Sequence, residues 1–155
     1  MIEGIEVIPL RRFEDARGWF AELRRDSKLP RHTGQTNLSF SRKGVIRGLH
    51  YHDRGQDDLF ACLQGMARVV VLDRGSGQTF TADIGDDNFV AVYIPGRHAH
   101  GFEALSDLLF CYHVTEEYDP ADPDEHEIPW DDPRVKHLWS TQSPILSERD
   151  AAASS

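Results

Sequence analysis

Residues 47–59, RGLHYHDRGQDDL, carry two histidines two positions apart with carboxylates following close behind. On a strand, His50 and His52 would share one face. Such residues suit two chemistries. An imidazole, with an unperturbed pKa of about 6.5, is a general base at neutral pH. Two imidazoles, a carboxylate and a further histidine instead suit a first-row divalent cation. That further histidine is at hand in Pro95-Gly96-Arg97-His98-Ala99-His100, so the candidate ligand set is His50, His52, Asp58 and His100. The plainer alternative is that the same histidines are satisfied by hydrogen bonds in a wet cavity. Arg47, Tyr112 and His113 also interrupt apolar runs and belong with the residues to be placed.

The elements that must position these side chains are strands almost throughout. IEVIPL, GWFAEL, GVIRGLHY, LFACLQG, ARVVVLD, TFTADIG, FVAVYIP, HGFEAL and LLFCYHVTEEY are short and rich in β-branched or aromatic residues. Turn chemistry separates them: Asp15-Ala16-Arg17-Gly18, Arg54-Gly55, Arg74-Gly75-Ser76-Gly77, Gly85-Asp86-Asp87-Asn88 and Pro95-Gly96. This pattern predicts an all-β sandwich or jelly-roll barrel with few short helices, whose inward residues line one ligand cavity. DSKLPRH has room for one helical turn. The proline- and acid-rich stretch after Pro120 reads as loop, with Trp130 and Trp139 packing back on the body. One domain over residues 1–150 is expected, followed by a disordered tail over 151–155.

Formal net charge is −9, from 17 basic and 26 acidic residues. This disfavours nucleic acid and anionic membranes as partners, although a few focused arginines can still hold a phosphate. No apolar run approaches the roughly 20 residues of a membrane span, and the N-terminus lacks a signal-peptide pattern. Cys62 and Cys111 lie in apolar runs and read as buried small hydrophobes, so a reducing, cytoplasmic setting is expected.

The two-part histidine pattern resembles the cupin superfamily's metal motif. It departs from that motif in having Asp58 rather than Glu, one residue late, and Arg97 where glycine is usual. Four further stretches together resemble the dTDP-4-dehydrorhamnose 3,5-epimerases, nucleotide-sugar enzymes on a cupin-type jelly roll. FEDARGWFAE (residues 13–22) is similar to F-x-D-x-R-G-x-F-x-E. QTNLSFS running into VIRGLHY (residues 35–51) is close to Q-x-N-x-S-x-S and V-L-R-G-L-H-Y. Ile94-Pro95 with Ala99-His100-Gly101-Phe102 resembles I-P-x-G-F-A-H-G-F. Tyr112 is followed by Tyr118-Asp119-Pro120, IPWDDP and LSERD. The order holds from about residue 5 to residue 150.

The resemblance implies an isomerase that inverts C3, C5 or both in a nucleotide-linked 4-keto-6-deoxyhexose. A proton α to the ketone leaves, an enolate forms, and a proton returns to the opposite face. It implies His50 as base, Asp150 as its orienting partner and Tyr112 as acid. It places Arg17, Phe20, Glu22, Gln35, Asn37, Arg47, His100 and Tyr118 on the substrate, with no metal and no cofactor, in a homodimer. For Arg47 to join His50, the strand must bulge or twist near Gly48, because the two stand three positions apart and so on opposite faces of a regular strand. A surface ion pair is the plain alternative for Arg17 and Glu22.

Three positions depart from that family. His52 stands where Gln is typical, Asp58 where Lys is typical, and Arg97-His98 where Gly-Phe is typical. An inward, ionised Asp58 would oppose the enolate, whereas Arg97 would bring a replacement cation. A metal-dependent cupin enzyme on His50, His52, Asp58 and His100, and a binder without turnover, therefore remain alternatives.

Overall fold

The structure is a computed structural model that describes residues 2–29, 31 and 33–154. Two antiparallel five-stranded sheets face each other as a jelly-roll sandwich. One sheet runs β1 (Glu6–Pro9), β9 (Val90–Pro95), β6 (Asp57–Gln64), β11 (Leu108–Val114), β4 (Gln35–Ser41). The other runs β12 (His126–Glu127), β5 (Ile46–Tyr51), β10 (Ala99–Ala104), β7 (Met66–Leu72), β8 (Thr79–Gly85). A separate hairpin, β2 (Phe13–Asp15) with β3 (Gly18–Phe20), forms its own two-stranded sheet. Single 3₁₀ turns occur at Asp26–Lys28, inside the DSKLPRH stretch, and at Lys136–Leu138.

Alternation along the inner strands divides the interior into two zones. Asp58, Phe60 and Cys62 follow one another at every second position of β6, as do His100, Phe102 and Ala104 on β10 and Tyr112, Phe110 and Leu108 on β11. The apolar members meet in one dry core, where Phe102 stacks on Phe110 and Phe60 meets both edge-on. Burying an aromatic side chain stabilises a fold by about 1.5–3 kcal/mol. The polar members all end at the opposite end of the sandwich, where they line a cavity.

Loops cover part of each outer face. Trp130, Val135 and Trp139 of the C-terminal stretch close over Leu49, Val70, Leu72 and Ala99, and Trp139 Nε1 donates to Trp130 O at 2.9 Å. The buried Glu103 carboxylate accepts from the Ser140 backbone and hydroxyl, fixing the same stretch. Cys62 and Cys111 are free and buried, and burial pushes the Cys62 thiol up to about 11.

Two elements differ from the sequence expectation. Strand β4 breaks the usual pattern because its polar residues Gln35, Asn37 and Ser39 turn inward while Leu38 and Phe40 stand 65% and 57% exposed. The C-terminus is not a frayed tail from residue 151: a helix, α1, spans Glu148–Ala153. Its start is set locally, since Ser147 caps it by accepting the Asp150 N–H at 3.1 Å.

Candidate active site

The polar end of the sandwich encloses a cavity of about 1170 Å³, ample for a nucleotide-sized ligand. Its residues come from strands distant in sequence, and two backbone features bring them together. The first lies in β5. His100 pairs with His50 and Phe102 with Arg47, so three steps on β5 face two on β10. This bulge falls at Gly48, whose φ is 129° and where a Cβ would lie 2.8 Å from Gly101 Cα. Only glycine tolerates both conditions. As a result Arg47 and His50, three apart, both line the cavity.

The second feature carries the C-terminus across the opening. Ile46 N donates to Ile145 O at 3.1 Å, and Ile145 N to Gly44 O at 2.9 Å, beside a parallel bridge from Val45 to Ile145. The cap at Ser147 then turns α1 so that Asp150 Oδ1 lies 2.9 Å from His50 Nε2, and Asp150 Oδ2 accepts Gly48 N–H at 3.2 Å. Asp150 is buried. Burial alone would raise its carboxyl, but the bonds to His50 and Gly48 and the nearby Arg149 outweigh that and hold it below the ordinary range.

His50 Nε2 faces the Asp150 carboxylate at 2.9 Å, which only accepts, and an Arg149 nitrogen at 3.2 Å, which only donates; the shorter carboxylate contact places the hydrogen on Nε2. His50 Nδ1 is then the lone-pair nitrogen, and Glu125 Oε1 lies 3.7 Å from it. Arg149 grips both Glu125 oxygens, at 2.9 and 3.0 Å, and pairs with Glu127. Burial would raise Glu125 too, yet Arg149 and His50 keep it below the usual carboxylate range.

Tyr112 pairs directly with Asn37 across β11 and β4 and lines the same cavity. Burial, with Asp58 and Glu125 nearby, raises its phenol against the opposing pull of Arg47, so it stays protonated at neutral pH. Arg47 Nε donates to Ser41 Oγ at 2.9 Å and its other arm to Phe40 O at 3.1 Å, which aims the guanidinium along the cavity wall. Gln35 donates to Asn37 Oδ1 at 2.9 Å and accepts Tyr118 N–H at 2.8 Å, tying that loop to the rim.

Eight of the eleven expected site residues therefore share one cavity: His50, Tyr112, Asp150, Gln35, Asn37, Arg47, His100 and Tyr118. Arg17, Phe20 and Glu22 do not reach it. They sit on or beside the exposed β2–β3 hairpin, Phe20 at 66% exposure. Arg17 pairs with Asp15 and Glu22 with Arg25, so the two are not a pair with each other. Gln56, Glu125 and Arg149 stand in the cavity outside that expected set. Gln56 lies in the stretch RGLHYHDRGQDDL itself, and Arg149 directly precedes Asp150. Glu125 sits in an acid-rich stretch that reads as solvated loop.

The four-residue ligand set is not assembled. His50 turns to Asp150, while His52, Asp58 and His100 close on one another deeper in the sandwich. Their donor atoms are engaged by protein partners. His100 Nε2 lies 3.1 Å from Asp58 Oδ2, and Gln56 Nε2 lies 3.1 Å from both His52 Nε2 and Asp58 Oδ1. His52 Nδ1 and His100 Nδ1 face the backbone oxygens Asp124 O and His98 O at 2.6 and 2.7 Å. The three ligand atoms lie within 4.8 Å of one another, but a cation there would have to displace Gln56 and the hydrogen shared by His100 and Asp58. Arg97 does not supply the replacement cation either. It lies with Glu3, Asp73 and Arg74 around a separate depression, and its carbonyl accepts from Arg74 at 2.9 Å. His98 is buried against Glu3 O, away from the cavity.

The family model described as dTDP-4-dehydrorhamnose 3,5-epimerase matches residues 1–155. The spore coat polysaccharide biosynthesis protein SpsL of Bacillus subtilis (strain 168) is 41% identical over 150 residues, spanning 92% of this chain and 99% of that protein. A 4-keto-6-deoxy sugar epimerase from the novobiocin biosynthetic gene cluster of Streptomyces spheroides superposes with a TM-score of 0.88 at 35% identity, over 99% of this chain and 83% of that one. A dTDP-6-deoxy-D-glucose-3,5-epimerase from Legionella pneumophila, solved with dTDP-4-keto-L-rhamnose, gives 0.87 at 32% identity, over 99% and 88%. Both solved structures are of epimerases, which favours proton chemistry over the metal-dependent alternative.

Proposed function

The chain belongs to the dTDP-4-dehydrorhamnose 3,5-epimerase family, and from that premise we propose that it inverts C3, C5 or both in a nucleotide-activated 4-keto-6-deoxyhexose. Such a step makes the sugar donor for deoxysugar-containing polysaccharides or secondary metabolites. The observation that carries this reading is the 2.9 Å contact between His50 and Asp150, made across 100 residues of chain at the wall of a cavity that also holds Tyr112.

The chemistry follows from these positions. His50 Nδ1 takes the hydrogen α to the C4 ketone, and the imidazolium so formed is stabilised by Asp150 on Nε2 and by Glu125 near Nδ1. The enolate is then reprotonated on its other face by the Tyr112 phenol, kept in its acid form by burial, and proton exchange with solvent returns the His50 imidazolium and the Tyr112 phenolate to their starting forms. Arg47, bonded only to neutral groups, lines the same cavity as a cation and suits a diphosphate. Gln35 and Asn37 offer amide groups to hydroxyls of the sugar or nucleoside, and Tyr118 offers an aromatic face.

A homodimer forms part of the proposal. Leu38 and Phe40 on edge strand β4, with Trp19 and Phe20 of the hairpin, leave apolar area exposed that a second copy would cover. The hairpin's Arg17, Phe20 and Glu22, outside their own chain's cavity, would in that arrangement reach the partner's. A reducing compartment, the cytoplasm, suits the two free buried thiols.

The test is proton NMR in D₂O with a panel of 4-keto-6-deoxyhexose nucleotides that vary in base and sugar. Deuterium entering C3 or C5 is the expected result, and the position labelled defines the stereocentre. No exchange with any member of the panel would refute the proposal.

A further inference from the structure

Buried His52, Asp58 and His100, with the half-buried Gln56, form a set on the cavity wall that the proposed proton transfers do not use. Their hydrogens can be placed by elimination. A carbonyl oxygen only accepts, so Asp124 O fixes a hydrogen on His52 Nδ1 and His98 O fixes one on His100 Nδ1. The Gln56 amide nitrogen has two hydrogens. One goes to His52 Nε2, which must then be a lone pair, and the other to Asp58 Oδ1. His52 is therefore neutral. A single hydrogen remains, between His100 Nε2 and Asp58 Oδ2 at 3.1 Å.

That hydrogen resides on the nitrogen. The Gln56 N–H on the other Asp58 oxygen favours the carboxylate anion, and His98 O on Nδ1 favours the imidazole cation. The charges around the ring point the same way. Asp58 faces it from β6 and Glu125 from the segment before β12. His52, which follows β5, opposes them only when charged, and His50 is the direct cross-strand partner. β7 contributes only Val71 in register, and Phe60 stands edge-on. Burial by itself would drive His100 down and Asp58 up. Their mutual attraction overcomes it, raising the imidazole and lowering the carboxyl.

Resting on the epimerase reading above, we infer that Asp58 is a positioning residue: it fixes His100 as a buried imidazolium, so that the enolate forms beside a cation supplied by a histidine–aspartate pair. The proton on His100 cancels the repulsion that a lone Asp58 carboxylate would exert on the enolate. Asp58 also stands among the groups that keep Tyr112 protonated. One carboxylate thus serves both the counter-charge and the acid.

The test begins with ¹⁵N-histidine NMR of the wild-type protein between pH 6 and 9. His100 is expected to show both ring nitrogens protonated at pH 8, with His52 neutral. A neutral His100 at pH 8 overturns the inference and needs no variant. Retention of an equivalent of transition metal through purification, with both Nε2 atoms unprotonated, overturns it too. In Asp58→Asn, His100 is expected to turn neutral at pH 8. Substrate exchange should fall roughly tenfold to hundredfold in kcat, with KM changing much less. Because burial then lowers the His100 pKa, the loss should be relieved as the pH drops toward 6, an effect that a merely structural defect would not produce. Asp58→Glu should recover most of the rate and the cation. An Asp58→Asn enzyme with the wild-type rate and pH profile overturns the inference. If His100 is the expected cation but no 4-keto sugar exchanges, the epimerase reading fails, and the inferred role, which rests on it, fails with it.

Discussion

His50 and Asp150 meet at the cavity with a fifth of the histidine side chain exposed, 20% against 4% for its aspartate, whereas His100 and Asp58 meet deeper, at 3% and 7%. The contacts are alike, 2.9 and 3.1 Å between ring nitrogen and carboxylate. The surroundings differ. His50 has Asp150 on one nitrogen and leaves the other facing the cavity, with Glu125 3.7 Å away. His100 has both nitrogens tied down, one to Asp58 and one to His98 O. A ring with one free nitrogen can gain and lose a proton in each cycle. A ring with none can only hold its charge. The same pair of residue types thus yields a base in one place and a fixed cation in the other, and connectivity decides which.

Substitutions sharpen that contrast. The largest effect is expected for His50→Asn, which removes the cycling nitrogen and should reduce exchange by about 10³-fold or more, within the range for lost acid–base groups. Asp150→Asn keeps the shape but loses the negative charge and leaves one acceptor oxygen for both the His50 and Gly48 N–H groups, and should cost on the order of 10²-fold in kcat with little change in KM. Tyr112→Phe leaves proton removal intact and blocks reprotonation. Deuterium should then still wash in on the His50 side while net epimerisation drops by about 10²-fold. If both readouts fall together in Tyr112→Phe, the division of base and acid between the two faces is wrong.

Stability distinguishes the pairs as well. Asp150 lies below its unfolded value, so its contribution is full above about pH 4 and is lost as the pH falls through the folded pKa. His100 is raised, so its contribution is full below about pH 6.5 and is lost only as the pH climbs through its folded value. Thermal unfolding followed against pH should show an acid limb that Asp150→Asn shrinks and an alkaline limb that Asp58→Asn removes. The smallest effect is expected for Ser147→Ala, about 1 kcal/mol through the lost helix cap. It should also lower kcat slightly, because α1 aims Asp150.

The existence of β6, β10 and β11 was legible in sequence because LFACLQG, HGFEAL and LLFCYHVTEEY are short runs rich in apolar, β-branched or aromatic residues. β4 was not, since its inward face is polar and its outward face apolar, the reverse of a solvent-facing strand. A cavity inside and an exposed apolar face outside account for that reversal. The helix at the C-terminus was masked by its small residues and brevity, although Ser147-x-x-Asp150 carries a capping signature. The eight cavity residues followed from motifs, but the role of Asp58 did not. A carboxylate in the place of a lysine reads as a loss until His100 is seen 3.1 Å away. The metal set of four likewise rested on spacing alone, and the bulge at Gly48 together with the Asp150 contact sends His50 elsewhere.

The central claim is that His50 is a base that removes a hydrogen beside a ketone. Deuterium incorporation at C3 and C5 of a 4-keto-6-deoxyhexose nucleotide, compared between the wild-type protein and His50→Asn, addresses it most directly. The account predicts rapid labelling of at least one centre by the wild type and near-complete loss in the variant, with the fold intact by circular dichroism. Labelling that proceeds at the wild-type rate without the imidazole would contradict it.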